Sequence, residues 1–263
     1  MKHNYWGLWL LLFVAFAAVA AASVYGPVML GSYQLRDSGF RETLFEQKDL
    51  PDVEVSPVAA DTLIDEAVAV APAPVDTNPK TLLFIGDSML EGLSPRLAAY
   101  AKHNGHTLYS VIWYSSTSMQ WGQSKRLADY IERIKPDFIF ISLGANELFV
   151  KDITTKRDGY VKHILADIGS CPYLWIGPPN WKPDTGINDL VAANAAKGCF
   201  FLSNGMHFDR ASDGAHPTRS SAVLWMDSVI RWMAVNSPHP FRMEVPDVKT
   251  ASPARVFIHQ PGE

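Results

Sequence analysis

Residues 81–90 read TLLFIGDSML, and this stretch decides the fold. Five β-favouring or apolar side chains run into Gly86-Asp87-Ser88, the composition of a turn. A short apolar run bounded by turn residues reads as a buried strand. The next segment, GLSPRLAAYAKHNG at 92–105, has the apolar spacing of a helix. The unit is a strand, a turn bearing a serine, and a helix.

The same unit recurs along the chain. TLYSVIW (107–113), DFIFISLG (137–144), YLWIGPP (173–179) and CFFLSNG (199–205) read as four more strands. QSKRLADYIERIK (123–135), KRDGYVKHILADIG (156–169), INDLVAANAAKG (187–198) and PTRSSAVLWMDSVIRWMAVN (217–236) read as helices, with Pro217 suited to the first turn of the last. Five strands alternating with helices predict an α/β fold, a parallel sheet covered on both faces. That domain spans residues 81–236, and residues 237–263, with five prolines and no clear period, read as a surface tail.

Upstream the composition changes. No side chain from Asn4 to Leu35 carries a formal charge, and residues 5–30 read YWGLWLLLFVAFAAVAAASVYGPVML. About 20 apolar residues cross a hydrocarbon core, so residues 1–32 are expected to be a signal-anchor or transmembrane helix. Trp6, Trp9 and Tyr25 stand as interfacial aromatics. A cleaved signal peptide, ending near Ala20-Ala21-Ala22, is the competing reading, but the apolar run outlasts an ordinary signal core. An uncleaved anchor puts the domain on the periplasmic side of the inner membrane, tethered by a single pass. Residues 33–80 hold ten acidic and four basic side chains and are rich in Ala, Pro and Val, the composition of an extended linker.

Charge excludes one class of partner. The formal net charge is −4 and Lys and Arg are nowhere clustered, so no nucleic-acid footprint is present. Two cysteines, Cys171 and Cys199, are too few for a disulfide scaffold and lack zinc-site spacing.

In open α/β sheets, sites form at the carboxyl ends of strands. Ser88 follows the first strand, Gly144-Ala145-Asn146-Glu147 the third, and Asp213-Gly214-Ala215-His216 precedes the last helix. Each fragment alone is ordinary turn or loop composition; together, at one edge, they supply a complete chemistry. Ser88 needs a base to become a nucleophile. His216 can be that base and then the acid for the leaving alcohol, with Asp213 holding its tautomer. Asn146 can direct its amide at a developing oxyanion, alongside the backbone N–H of Ser88 near a helix N-terminus.

On these blocks, residues 81–236 resemble the SGNH hydrolases, also called the GDSL family. The resemblance implies a flavodoxin-like three-layer sandwich on a five-stranded parallel sheet. It also implies a Ser88–His216–Asp213 mechanism without metal or cofactor, acting on esters or thioesters. Two positions depart from the family pattern. Its second block has a glycine whose N–H completes the oxyanion hole; here the loop reads WYSSTSMQW, and Ser116 is taken as the match. The residue after Asn146 is Glu147 where the family has Asp. The family topology sets the fourth and fifth strands side by side, so Cys171 and Cys199 are expected within reach of a disulfide.

Aromatic residues Trp113, Tyr114, Trp121 and Trp181 cluster toward the same edge, and flat rings there suit sugar faces, although rings also serve as core. A tether, a linker and this domain point to an O-acetyl esterase acting on an acylated envelope carbohydrate or a small ester. An O-acetyltransferase, a lysophospholipase or thioesterase, and an inactive glycan-binding scaffold are the alternatives.

Overall fold

The computed structural model describes residues 29–30, 33–34, 75–203 and 205–262. The chain divides into two units, 1–69 and 70–263. In the first, β1 (Met29–Leu30) pairs antiparallel with β2 (Tyr33–Gln34). Met29 and Leu30 are thus extended, and the rest of the expected span at 1–32 lies outside the described residues, as do linker residues 35–74. Among the described residues, no helix is long and apolar enough to cross a membrane.

The second unit follows the expected alternation. In chain order it comprises β3 (Thr81–Gly86), α1 (Leu90–His103), β4 (Thr107–Trp113), α2 (Ser118–Gln123), α3 (Arg126–Ile134) and β5 (Phe138–Ser142). Then come α4 (Ile153–Ile168), β6 (Tyr173–Ile176), α5 (Ile187–Asn194), β7 (Phe200–Phe201), α6 (Arg219–Asn236) and β8 (Arg255–His259). The sheet order is β7-β6-β5-β3-β4-β8, every pair parallel. Alternation along the strands builds two cores. Leu82, Phe84, Phe138 and Phe140 meet α1 and α6 through Leu93, Leu97, Trp225 and Met226. Leu83, Ile85, Ile139 and Ile141 meet α2 to α5 through Trp121, Leu127, Val161 and Leu190. This is a three-layer sandwich.

Three expectations are corrected. The sheet has six strands rather than five, because residues 237–263 are no loose tail: β8 pairs with β4 from Tyr109↔Arg255 to Trp113↔His259. The domain also begins before residue 81. Asp76 bridges Phe241, accepts the Arg242 N–H at 2.8 Å and pairs with Lys80, so the last linker residues are part of the fold. Pro217 lies just outside α6, whose N-cap is Thr218, accepting the Ser221 N–H at 3.2 Å.

Cys171 and Cys199 are free, not bridged. The Cys171 thiol donates to the Pro136 carbonyl at 3.3 Å, while Cys199 is buried with its sulfur toward Lys197. Burial pushes the Cys171 thiol up to about 11 and raises Cys199 as well, so both stay protonated.

Candidate active site

The first turn of the site exists because Gly86 lets two strands approach. A Cβ there would meet the Ser142 carbonyl oxygen at 2.1 Å. The chain then turns, with the Asp87 N–H on the same Ser142 carbonyl at 3.2 Å and the Glu91 N–H on the Ser88 carbonyl at 3.1 Å. Ser88 is thereby set half-buried at the start of α1, on the carboxyl edge of the sheet.

His216 arrives from a loop that is pinned on several sides. Ala211 N–H donates to its carbonyl at 2.8 Å, and Thr218 N–H donates to Asp209 at 2.8 Å. Arg210 Nη1 holds the Ala215 carbonyl at 2.7 Å while Nη2 reaches Pro179 at 3.1 Å, joining this loop to the one after β6. Arg210 gave no sequence signal, since a loop arginine ordinarily faces solvent.

Within that loop Asp213 is an organised acceptor. One oxygen takes the N–H groups of Ala215 and His216, each at 2.9 Å, and the other lies 2.7 Å from His216 Nδ1. Partial burial pushes the Asp213 carboxyl up, but those N–H groups and the His216 ring outweigh it and hold it down at about 2. A carboxylate only accepts, so Nδ1 carries the proton. The Nε2 lone pair is then left facing Ser88 Oγ at 2.8 Å, where it accepts the hydroxyl proton.

Asn146 stands opposite on the loop after β5. Gly144, at φ +125°, lets that loop turn, and Asn146 Nδ2 donates one hydrogen to the Ser116 carbonyl at 2.9 Å. Among the described residues its second amide hydrogen has no acceptor. Glu147, fully buried, accepts from Ser118 Oγ at 2.6 Å, from Ser118 N–H at 3.0 Å and from Arg157 Nε at 3.0 Å. It braces the loops after β4 and β5 against α4. Burial raises its pKa against the pull of Ser118 and Arg157.

The Ser116 N–H, expected to face the oxyanion, is engaged within its own turn. Ser116 N–H donates to Trp113 O at 3.2 Å, and its hydroxyl accepts from Trp121 Nε1 at 2.9 Å. Its neighbour Ser115 is exposed, sits at φ +58°, and its N–H donates to no group among the described residues. A left-handed turn is the signal glycine would have given; a serine hides it.

The aromatics divide. Trp121 is 0% exposed and Trp113 is 4% exposed; the two pack edge-to-face at 5.4 Å beneath Arg126, so they are core and not cleft. Tyr114 remains partly exposed, its hydroxyl on Glu91. Trp181 donates Nε1 to the Ala145 carbonyl at 3.3 Å and meets Phe149 edge-to-face at 5.5 Å, with Lys182 over both rings. Phe149 is 57% exposed, and nothing in the sequence pattern singled it out.

Asp87 is wholly buried. Its Oδ1 takes the Met89 N–H at 2.9 Å, while among the described residues Oδ2 makes no hydrogen bond of ordinary geometry. Burial raises its pKa to about 7, assisted by Glu147 and opposed by Met89 and His216.

Fold and site together define a three-layer α/β domain with a strand-end Ser–His–Asp relay. No family model matches the sequence, and no curated protein matches it. Among solved structures, the chain is similar to the psychrotrophic esterase EstA from Pseudoalteromonas sp., at 17% identity, 58% of this chain, 96% of that one and TM-score 0.43. It is similar to TesA at 22% identity, 58% and 97% coverage and TM-score 0.46. A two-domain esterase active on acetylated mannans matches at 17% identity over 66% of this chain and 53% of that one, TM-score 0.45.

Proposed function

We propose that this chain is a serine esterase of the SGNH/GDSL type that removes acyl groups, O-acetyl above all, from an envelope or extracellular carbohydrate. The observation that carries the reading is the unbroken relay from Asp213 through His216 Nδ1 and Nε2 to Ser88 Oγ, at 2.7 and 2.8 Å.

Ser88 Oγ attacks the ester carbonyl carbon as His216 Nε2 takes its proton. The imidazolium that forms is stabilised by Asp213. The oxyanion draws on the Ser88 and Ser115 N–H groups and the second Asn146 amide hydrogen, donors fixed before the charge develops. His216 then hands its proton to the departing alkoxide, leaving an acyl-serine. A water gives its proton to His216 and attacks that carbonyl, and collapse returns the proton to Ser88 and releases the carboxylic acid.

The exposed Phe149 and partly exposed Trp181 and Tyr114 support a sugar ring as the alcohol side. The apolar run at 5–30 and the acidic linker support a membrane-tethered, extracytoplasmic placement.

A panel of acetylated oligosaccharides, with p-nitrophenyl acetate as the small reference ester, tests the reading. Acetate release from the sugars with a higher kcat/KM than from the reference ester supports it. Turnover of the reference ester without any acetylated sugar leaves an esterase and removes the carbohydrate, and acetyl transfer to a sugar in place of acetate release makes it a transferase.

A further inference from the structure

After α6 the chain wraps the domain from its amino edge to its carboxyl edge. His106 Nε2 meets the Arg242 carbonyl at 2.7 Å, and Asn104 exchanges two side-chain hydrogen bonds with Glu244, each 2.9 Å. Arg96 Nη1 holds the Val248 carbonyl at 2.8 Å, Ala251 N–H donates to Pro95 O at 2.9 Å, and Ala254 N–H to Leu108 O at 2.8 Å. The chain then enters β8, whose last residue pairs with the end of β4.

That end point matters because of the register. β3 pairs with β4 only as far as Gly86↔Ile112, so Trp113 and Tyr114 run beyond their β3 neighbour. On the other side β8 reaches further. Tyr114 N–H donates to the His259 carbonyl at 3.0 Å, and Trp113 Nε1 to the Gln260 carbonyl at 3.2 Å. The His259 ring is itself fixed, with Arg126 Nη1 at 2.7 Å from Nδ1 and Tyr130 OH at 2.9 Å from Nε2. The next residue after Tyr114 is Ser115 in its left-handed turn, a conformation that persists only where surrounding contacts over-determine it.

We infer that His259 and Gln260 are positioning residues: the end of the C-terminal segment holds Trp113 and Tyr114 so that the Ser115 N–H faces the oxyanion. They touch no substrate and act through the β4 strand end. The inference rests on the reading of Ser115 as an oxyanion donor.

The test compares the full chain with His259→Ala, His259→Gln and Trp113→Phe, and with Arg255→Ala at the far end of β8, whose guanidinium lies over Phe257. Two readouts are taken: kcat and KM on p-nitrophenyl acetate, and amide hydrogen exchange across residues 114–118. Misplaced catalytic groups cost rate rather than binding, so His259→Ala is expected to lower kcat about tenfold with KM little changed. Exchange at 114–118 should speed up, His259→Gln should recover most of the rate, and Arg255→Ala should alter neither readout. A chain ending at Ile258 guards against a silent point variant and should behave as His259→Ala or worse. Unchanged exchange at 114–118 in both His259→Ala and the shortened chain overturns the inference, as does faster exchange with kcat intact. Absence of turnover in the unaltered chain counts against the esterase reading, while exchange still decides whether His259 holds the loop.

Discussion

Glu147 Oε1 accepts the Ser118 hydroxyl at 2.6 Å, tying the loop after β5 to the loop after β4 below the site. The same carboxylate pairs with Arg157 at 3.0 Å, and both side chains are largely or wholly buried. Removing one partner of a buried ion pair leaves the other uncompensated. Glu147→Ala is expected to lose about 3 kcal/mol in urea unfolding, with a fall in activity wherever the fold survives. A loss within error of zero contradicts the brace.

The sheet was legible because its strands are apolar runs broken by turn residues; Ser88 and Asn146 could be placed because each follows such a run, and Asp213 and His216 because they share the loop before the last helix. Three features were not. RVFIH at 255–259 lacks the unbroken apolar run of the buried strands, and it becomes a strand because β4 offers an edge. Ser115 and Ser116 are chemically alike in sequence, and only backbone geometry separates the exposed Ser115 in its left-handed turn from Ser116, whose N–H is bonded to Trp113. Trp113 and Trp121 look like cleft aromatics until the fold buries both rings against each other.

Asp87 carries a pH signature. Its carboxyl titrates near 3.8 when unperturbed and is raised to about 7 by burial in the fold. The folded state therefore holds the proton more tightly, so this group's contribution to stability is fully present below about pH 4 and is lost as pH rises toward about 7. Asp87→Asn cannot ionise, so its stability relative to the parent should improve steadily between pH 4.5 and 8 in urea titrations. A difference that stays flat with pH contradicts the assignment.

The loop after β4 separates two serines. Ser115→Pro removes the N–H and cannot adopt positive φ, so kcat should fall by about 10² or more. Ser116→Ala leaves the buried Trp121 N–H without its acceptor, which should cost about 1–3 kcal/mol of stability while sparing the chemistry. Asn146→Ala should lower kcat by about 10²–10³ with KM little changed. Steady-state kinetics with parallel melting curves check all three, and a folded Ser115→Pro enzyme with undiminished kcat contradicts the assignment of Ser115 as a donor.

The amino boundary is equally testable. A chain beginning at Val75 keeps the Asp76 contacts to Lys80, Pro240 and Arg242 and should fold and turn over p-nitrophenyl acetate as the full chain does. One beginning at Thr81 loses them and should melt lower. Equal melting temperatures would put Asp76 outside the fold.

In the proposed reaction His216, oriented by Asp213, activates the Ser88 hydroxyl. Treatment with a serine-directed fluorophosphonate, followed by intact-mass and peptide mapping, tests it most directly. The expected result is one adduct per chain at Ser88, absent in Ser88→Ala and slowed by orders of magnitude in His216→Ala, both well folded. No adduct at Ser88 in the folded parent, or a folded Ser88→Ala protein with undiminished turnover, contradicts the account.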